Sequence, residues 1–133
     1  MKRKLLSVVM VLLLVMNFGM MVSAEASDPQ VDTRAQYLDS YYVKGTSILT
    51  LTSAIASTEC FVGCVSINVK TVYNVKSLNG TVSITGSNSG TNYTSANLSA
   101  GSDRESIAMT STHSAINNQT GAACCFTTHV LFW

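Results

Sequence analysis

The side chains of residues 65–74 alternate between apolar and polar, and this period of two is the strongest constraint on the fold. Val65, Ile67, Val69 and Tyr73 share one phase, and polar residues dominate the other. Ser47 and Leu49 alternate in the same way with Thr46 and Ile48. Alternation in stretches rich in β-branched residues predicts strands with one buried and one solvated face. An amphipathic helix would need a period near 3.6.

Turn signals recur along the chain and separate the predicted strands. Asn79-Gly80 predicts a hairpin turn, and the segments 86–90, 100–103 and 117–121 are rich in Gly, Asn and Ser. Short strands at this spacing predict an all-β fold, a small antiparallel β-sandwich, with a partly open β-barrel as the alternative. Residues 37–133 are predicted to form this single domain, and residues 25–36 a flexible lead-in. A helix over residues 33–42 is a weaker possibility.

The N-terminal segment has the three parts of a secretory signal peptide. Lys2, Arg3 and Lys4 precede an uncharged run over residues 5–24, and small residues provide cleavage sites after Ala24 or Ala26. The run is also about long enough to span a bilayer as a retained anchor. The cleavage-site residues and the polar segment after them favour removal. We therefore expect residues 1–24 to be a signal peptide and the product to be secreted and extracellular, with no stable membrane anchor.

The charge balance after the leader argues against polyanionic partners. Five basic residues face seven acidic ones, a net charge near −2. No basic patch remains to neutralise phosphates, so binding to nucleic acid or to anionic lipid is not expected. About 110 residues suffice for one domain with one core. The sequence shows no cofactor motif and does not indicate an oligomeric state.

The four cysteines form the sharpest constellation in the chain: Cys60, Cys64, Cys124 and Cys125. An even number of cysteines in a secreted chain predicts disulfides, with three possible pairings. Two bridges would require the 60–64 loop to lie against the start of the last strand. They would also require an irregular entry to that strand, because adjacent residues on a strand face opposite sides. The alternative, a metal site that adds His113 or His129, fits the spacing poorly, and no metal ligand is predicted.

No catalytic constellation is recognisable, and no catalytic residue is predicted. His113 and His129 are interpreted as side chains on the solvated face of a half-polar sheet. The segment 86–90 places its serines at the wrong offset for a nucleophile elbow. Asp103 and Glu105 flank Arg104 as in a solvated charged turn. The sequence therefore favours a protein that is not an enzyme.

Aromatic residues supply the remaining functional signal. The amphipathic rings are Tyr37, Tyr41, Tyr42, Tyr73, Tyr93 and Trp133. Tyr73 falls on the apolar phase of its strand and is expected in the core. Tyr93 and Trp133 are the candidate ligand-contact residues.

The leading functional hypothesis is a secreted, non-enzymatic β-sandwich that binds an extracellular glycan or protein at the cell envelope. The alternative is a membrane-active effector or bacteriocin-like toxin that uses the weakly charged strands over residues 105–116 and 122–133. A secreted hydrolase and an assembler through open strand edges are weaker possibilities.

Overall fold

The computed structural model describes residues 28–132, which form eight β-strands. These are β1 (Gln30–Leu38), β2 (Tyr41–Leu49), β3 (Ser53–Cys60), β4 (Val65–Ser77), β5 (Gly80–Gly90), β6 (Asn92–Ser99), β7 (Glu105–Asn117) and β8 (Ala123–Leu131). Within these residues there is no helix long and apolar enough to cross a membrane. The predicted signal peptide lies outside the described residues.

The strands form two antiparallel sheets that pack face to face. Sheet A has the order β1-β2-β3-β6, and sheet B has the order β5-β4-β7-β8. The two sheets do not close into one continuous barrel. The predicted sandwich is therefore confirmed, and the barrel alternative is wrong.

The predicted alternation is also confirmed along β4 and β2. Val65, Ile67, Val69, Thr71 and Tyr73 are all buried. On β2, Ser47 and Leu49 face the interior. The apolar interior consists of two clusters, one around Leu49, Tyr73 and Met109 and the other around Val43, Ile67 and Cys124. Hydroxyl groups and one imidazole lie in the same interior.

The turn between β4 and β5 is a hairpin, as expected, but it is displaced by one residue. Ser77 pairs with Gly80, so Leu78 and Asn79 form the two-residue loop. Gly80 has a φ of 120°, a value that side chains with a Cβ rarely adopt. The Asn-Gly signal therefore places glycine just after the loop. Strand β5 then continues through the segment 86–90, which the sequence predicts to be a loop.

A β-bulge interrupts the pairing of β7 with β4. Asn74 pairs with Ala108 and Val75 with Ser106, which leaves Ile107 unpaired. The extra residue shifts the phase of the strand, so Ser106 and Met109 are both buried. The sequence pattern alone places Ile107 and Met109 on one face, and this prediction is wrong because of the bulge.

Strand β1 forms an edge of sheet A and replaces most of the predicted lead-in. It begins at Gln30, so residues 30–36 belong to the sheet, and a helix over residues 33–42 is excluded. The Asp32 carboxylate accepts the backbone N–H of His129 on β8 at 2.9 Å and lies 3.3 Å from Arg34 Nε. Charged groups at a sheet edge oppose addition of a further strand.

Candidate ligand-binding face and the polar interior behind it

The outer face of sheet A carries three exposed tyrosines near one end of the sandwich. Tyr37 is 68% exposed, and Tyr42 and Tyr93 are each 54% exposed. The strand registers place Lys44 and Glu59 on the same face between these rings. We call this surface the tyrosine face and define it by Tyr37, Tyr42, Lys44, Glu59 and Tyr93.

Tyr37 and Tyr42 form an aromatic pair because of the β1–β2 hairpin. The two-residue loop Asp39–Ser40 makes Tyr37 and Tyr42 direct cross-strand partners. Their ring centroids lie 5.5 Å apart at an interplanar angle of 68°. Edge-to-face pairs of this kind are stabilising and hold both rings in place. The hairpin therefore presents a fixed pair of amphipathic side chains.

Lys44, Glu59 and Tyr93 form the neighbouring cross-strand row. Lys44 pairs with Glu59, and Glu59 pairs with Tyr93. Lys44 Nζ lies 2.8 Å from Glu59 Oε1, and this contact raises the pKa of Lys44. The pair offers a hydrogen-bond donor beside an acceptor. The next row along the strands carries only hydroxyls, from Thr33, Thr46, Ser57 and Ser95.

The β1–β2 turn is fastened to the opposite sheet. Asp39 Oδ2 accepts hydrogen bonds from Asn117 Nδ2 at 2.9 Å and from Thr120 Oγ1 at 3.0 Å. Both donors belong to the end of β7 and the turn that follows it. These bonds fix the hairpin that presents Tyr37 and Tyr42.

The outer face of sheet B has a different composition. Its central row consists of Ser87, Lys70, Thr112 and Thr127. Within residues 28–132, this face carries no tyrosine, phenylalanine or tryptophan. The aromatic side chains thus distinguish the two outer faces and single out sheet A.

Behind the tyrosine face, a buried polar network joins the two sheets. Ser47 Oγ on β2 donates to Ser111 Oγ at 2.8 Å and lies 2.6 Å from Thr128 Oγ1. Thr128 Oγ1 is 2.8 Å from His113 Nε2, and His113 Nδ1 is 2.8 Å from Thr58 Oγ1 on β3. Thr71 extends the network from Ser111 at 3.0 Å. No buried side-chain polar atom among the described residues lacks a partner.

His113 is buried, which corrects the prediction that it faces solvent. Its exposed fraction is 0%, and its ring stacks on Phe126 with centroids 5.3 Å apart. Desolvation lowers its pKa to about 4, against a smaller opposing effect of the Asp32 charge. His113 is therefore neutral near pH 7. His129 is exposed, as expected, and its Nδ1 lies 2.7 Å from Thr110 Oγ1.

The cysteines do not all converge. Cys60 and Cys124 are buried in one apolar cluster, and Cys64 packs against it. Asn118 N–H donates to the Cys64 carbonyl at 2.8 Å. The predicted approach of the 60–64 loop to the start of the last strand is therefore confirmed. Cys125 points to the opposite face and is exposed.

All four cysteines are free thiols in this structure, so the disulfides stay a prediction. Strand β8 pairs with β7 without irregularity from Ala123 onward, so Cys124 and Cys125 keep opposite faces. Burial raises the pKa of the Cys60 and Cys124 thiols. Within residues 28–132, no three His, Cys, Asp or Glu side chains are grouped to hold a metal ion.

Of the two candidate ligand-contact residues, Tyr93 lies on the tyrosine face, and Trp133 lies outside the described residues. Tyr37 and Tyr42 were not among the candidates. The signal that could have found them is the Asp39–Ser40 turn, since a two-residue loop pairs its flanking positions on one face. Neither protein-family models nor curated protein sequences match this chain.

Proposed function

We propose that this protein is a secreted, non-enzymatic binding module that holds an extracellular glycan or protein on its tyrosine face. The observation that carries the proposal is the clustering of three exposed tyrosines on one outer face of the sandwich. Tyrosine supplies a large apolar surface together with a polar hydroxyl, and it loses little conformational freedom on binding.

The rigidity of the face supports this proposal. Its residues lie on strands or directly beside them, and the Asp39 bonds fix the hairpin. Ser47 and Thr58 link β2 and β3 to sheet B through the buried network. A surface that is already ordered loses less entropy when a ligand binds.

The histidines support a non-enzymatic role. His113 has no exposed surface, so a substrate cannot reach its ring in the folded protein. His129 contacts Thr110, but Asp32 binds the backbone N–H of residue 129 and not the imidazole. A Thr-His contact without a carboxylate to orient the ring is a weak basis for nucleophilic catalysis.

The membrane-active alternative gains no support from the position of its hairpin. Strand β7 pairs with both β4 and β8 inside sheet B. Its inward side chains, including Ser111 and His113, make the hydrogen bonds of the interior. Release of the β7–β8 hairpin into a bilayer would break these bonds and open the core. Dye release from liposomes tests this alternative directly.

A surface-binding experiment tests the proposal. Protein purified from culture supernatant is incubated with envelope fractions, and the bound amount is compared for wild type, Tyr42→Ala and Tyr93→Ala. We expect both variants to bind more weakly. Leu78→Ala is the matched control, because Leu78 is 95% exposed on the β4–β5 turn, away from the tyrosine face. Equal retention of all four proteins, or no retention of wild type, would refute the proposal.

The proposed secretion has its own test in the mass of the purified product. We expect a chain that begins at Glu25 or Ser27, after cleavage at Ala24 or Ala26. Full-length protein retained with the cells would contradict it.

A further inference from the structure

The net charge of the tyrosine face restricts the ligand it can hold. Across the paired rows of the outer face of sheet A, the charged side chains are Lys44 and Glu59. They neutralise one another at 2.8 Å. We infer that the ligand is an uncharged linear glycan that crosses the strands from the Tyr37–Tyr42 pair to Tyr93. This inference rests on the proposed function and narrows it to one ligand class.

The spacing of the rings fits such a chain. Tyr42 on β2 and Tyr93 on β6 are separated by two strand steps, roughly 10 Å across the sheet. That distance is about the length of two linked pyranose rings. The C–H faces of pyranose rings pack against aromatic rings, so a sugar at each end of the chain would contact tyrosine. The sugar between them would lie over Lys44 and Glu59.

The ion pair has the chemistry that sugar hydroxyls require. A hydroxyl both donates and accepts hydrogen bonds, and neighbouring hydroxyls can bind the Lys44 ammonium and the Glu59 carboxylate together. Thr33, Thr46, Ser57 and Ser95 continue this hydrogen-bonding surface in the next row. The face therefore combines apolar ring contacts with donors and acceptors in adjacent rows.

Other classes of partner fit less well. The cores of protein interfaces are depleted of charged residues, whereas Lys44 and Glu59 lie between the tyrosines at the centre of this face. Polyanions such as nucleic acids or acidic polysaccharides require an excess of basic groups, and the face has none. An uncharged glycan meets neither objection.

Isothermal titration of the mature protein with soluble oligosaccharides tests the inference. The probes are neutral gluco-, manno-, xylo- and chito-oligosaccharides of increasing length, with an oligouronate as the charged comparison. We expect at least one neutral series to bind, with an affinity that rises from the disaccharide to the trisaccharide and that does not change with salt. Tyr93→Ala should weaken binding about tenfold, and Glu59→Gln should also weaken it.

Lys70→Met is the matched control, because Lys70 is an exposed cation on the outer face of sheet B. It should leave the affinity unchanged. Circular dichroism and thermal unfolding confirm that each variant is folded.

The outcomes separate this inference from the proposed function. Binding of the oligouronate alone, or a steep loss of affinity with salt, overturns the neutral-glycan inference and leaves a binding module. Capture of a surface protein through Tyr42 and Tyr93, without binding of any glycan, has the same consequence. If no ligand binds and no envelope fraction retains the protein, both proposals fail.

Discussion

Gly45 faces the imidazole of His113 across the interior, so closely that a Cβ on residue 45 would lie 2.4 Å from His113 Cγ. The ring cannot retreat, because Thr58 and Thr128 bind its two nitrogens and Phe126 stacks on it. A strand glycine usually weakens a sheet. Here it makes room for a buried side chain that links the two sheets.

We expect Gly45→Ala to destabilise the protein by about 1–3 kcal/mol, because the added methyl group must displace the ring or the backbone of β2. Chemical denaturation measures this free energy of unfolding. Gly63→Ala is the matched control, since a Cβ at residue 63 meets no atom within 4 Å. Its effect should stay within about 0.5 kcal/mol. Equal stabilities of the two variants would show that the interior has room for the methyl group.

Stability should fall in mild acid because of His113. Its pKa is about 4 in the folded state, against 6.5 for an unperturbed histidine. The unfolded state therefore binds more protons between these values, and the free energy of unfolding decreases as the pH falls from 6.5 to 4. The full contribution of this residue is about 3 kcal/mol. Above pH 6.5 it is neutral in both states and produces no dependence.

Urea unfolding at several pH values measures this effect. His113→Asn should reduce the slope of stability against pH in that window, whatever its cost at neutral pH. His129→Gln replaces an exposed histidine and should leave the slope unchanged. An equal slope in wild type and His113→Asn would contradict this assignment.

The strand periodicity predicted the sandwich because it depends on local alternation, which survives in the folded protein. The phase of Val65–Tyr73 and the inward position of Ser47 followed from it directly. The bulge at Ile107 did not, because one inserted residue changes every later orientation and leaves no mark in the composition. The edge strand β1 was missed for a related reason. At an edge, Asp32 and Arg34 reach solvent, so β1 lacks the alternation of a central strand.

The candidate site was predicted less completely than the fold. Tyr93 was a candidate, but its neighbours Lys44 and Glu59 come from other strands, and only the β2–β3 and β3–β6 registers bring them together. His113 was interpreted as solvated because polar residues flank it. Its burial depends on Thr58 and Thr128, which are distant in sequence, so local periodicity could not reveal it.

The two ends of the polar network should differ in their contribution to stability. Ser47 makes the hydrogen bonds that cross from sheet A to Ser111 and Thr128. Thr71 contacts Ser111 from within sheet B. We expect Ser47→Ala to cost about 2 kcal/mol and Thr71→Val about 1 kcal/mol, since the first removes two buried bonds and the second removes one. Denaturation of both variants gives the comparison, and a larger cost for Thr71→Val would contradict this account of the network.

The cysteine geometry permits at most one intramolecular disulfide, because Cys125 faces away from Cys60, Cys64 and Cys124. If the protein is oxidised on secretion, its monomer should lose two hydrogens in mass, and a loss of four would contradict this arrangement. In the reduced protein, Cys125 should be alkylated first, whereas burial and a raised pKa protect Cys60 and Cys124. Cys125→Ser should remove the fast reaction and leave the stability nearly unchanged. Cys124→Ser should instead destabilise the protein, because it places a hydroxyl in the apolar cluster. Mass spectrometry of time-resolved alkylation distinguishes these outcomes.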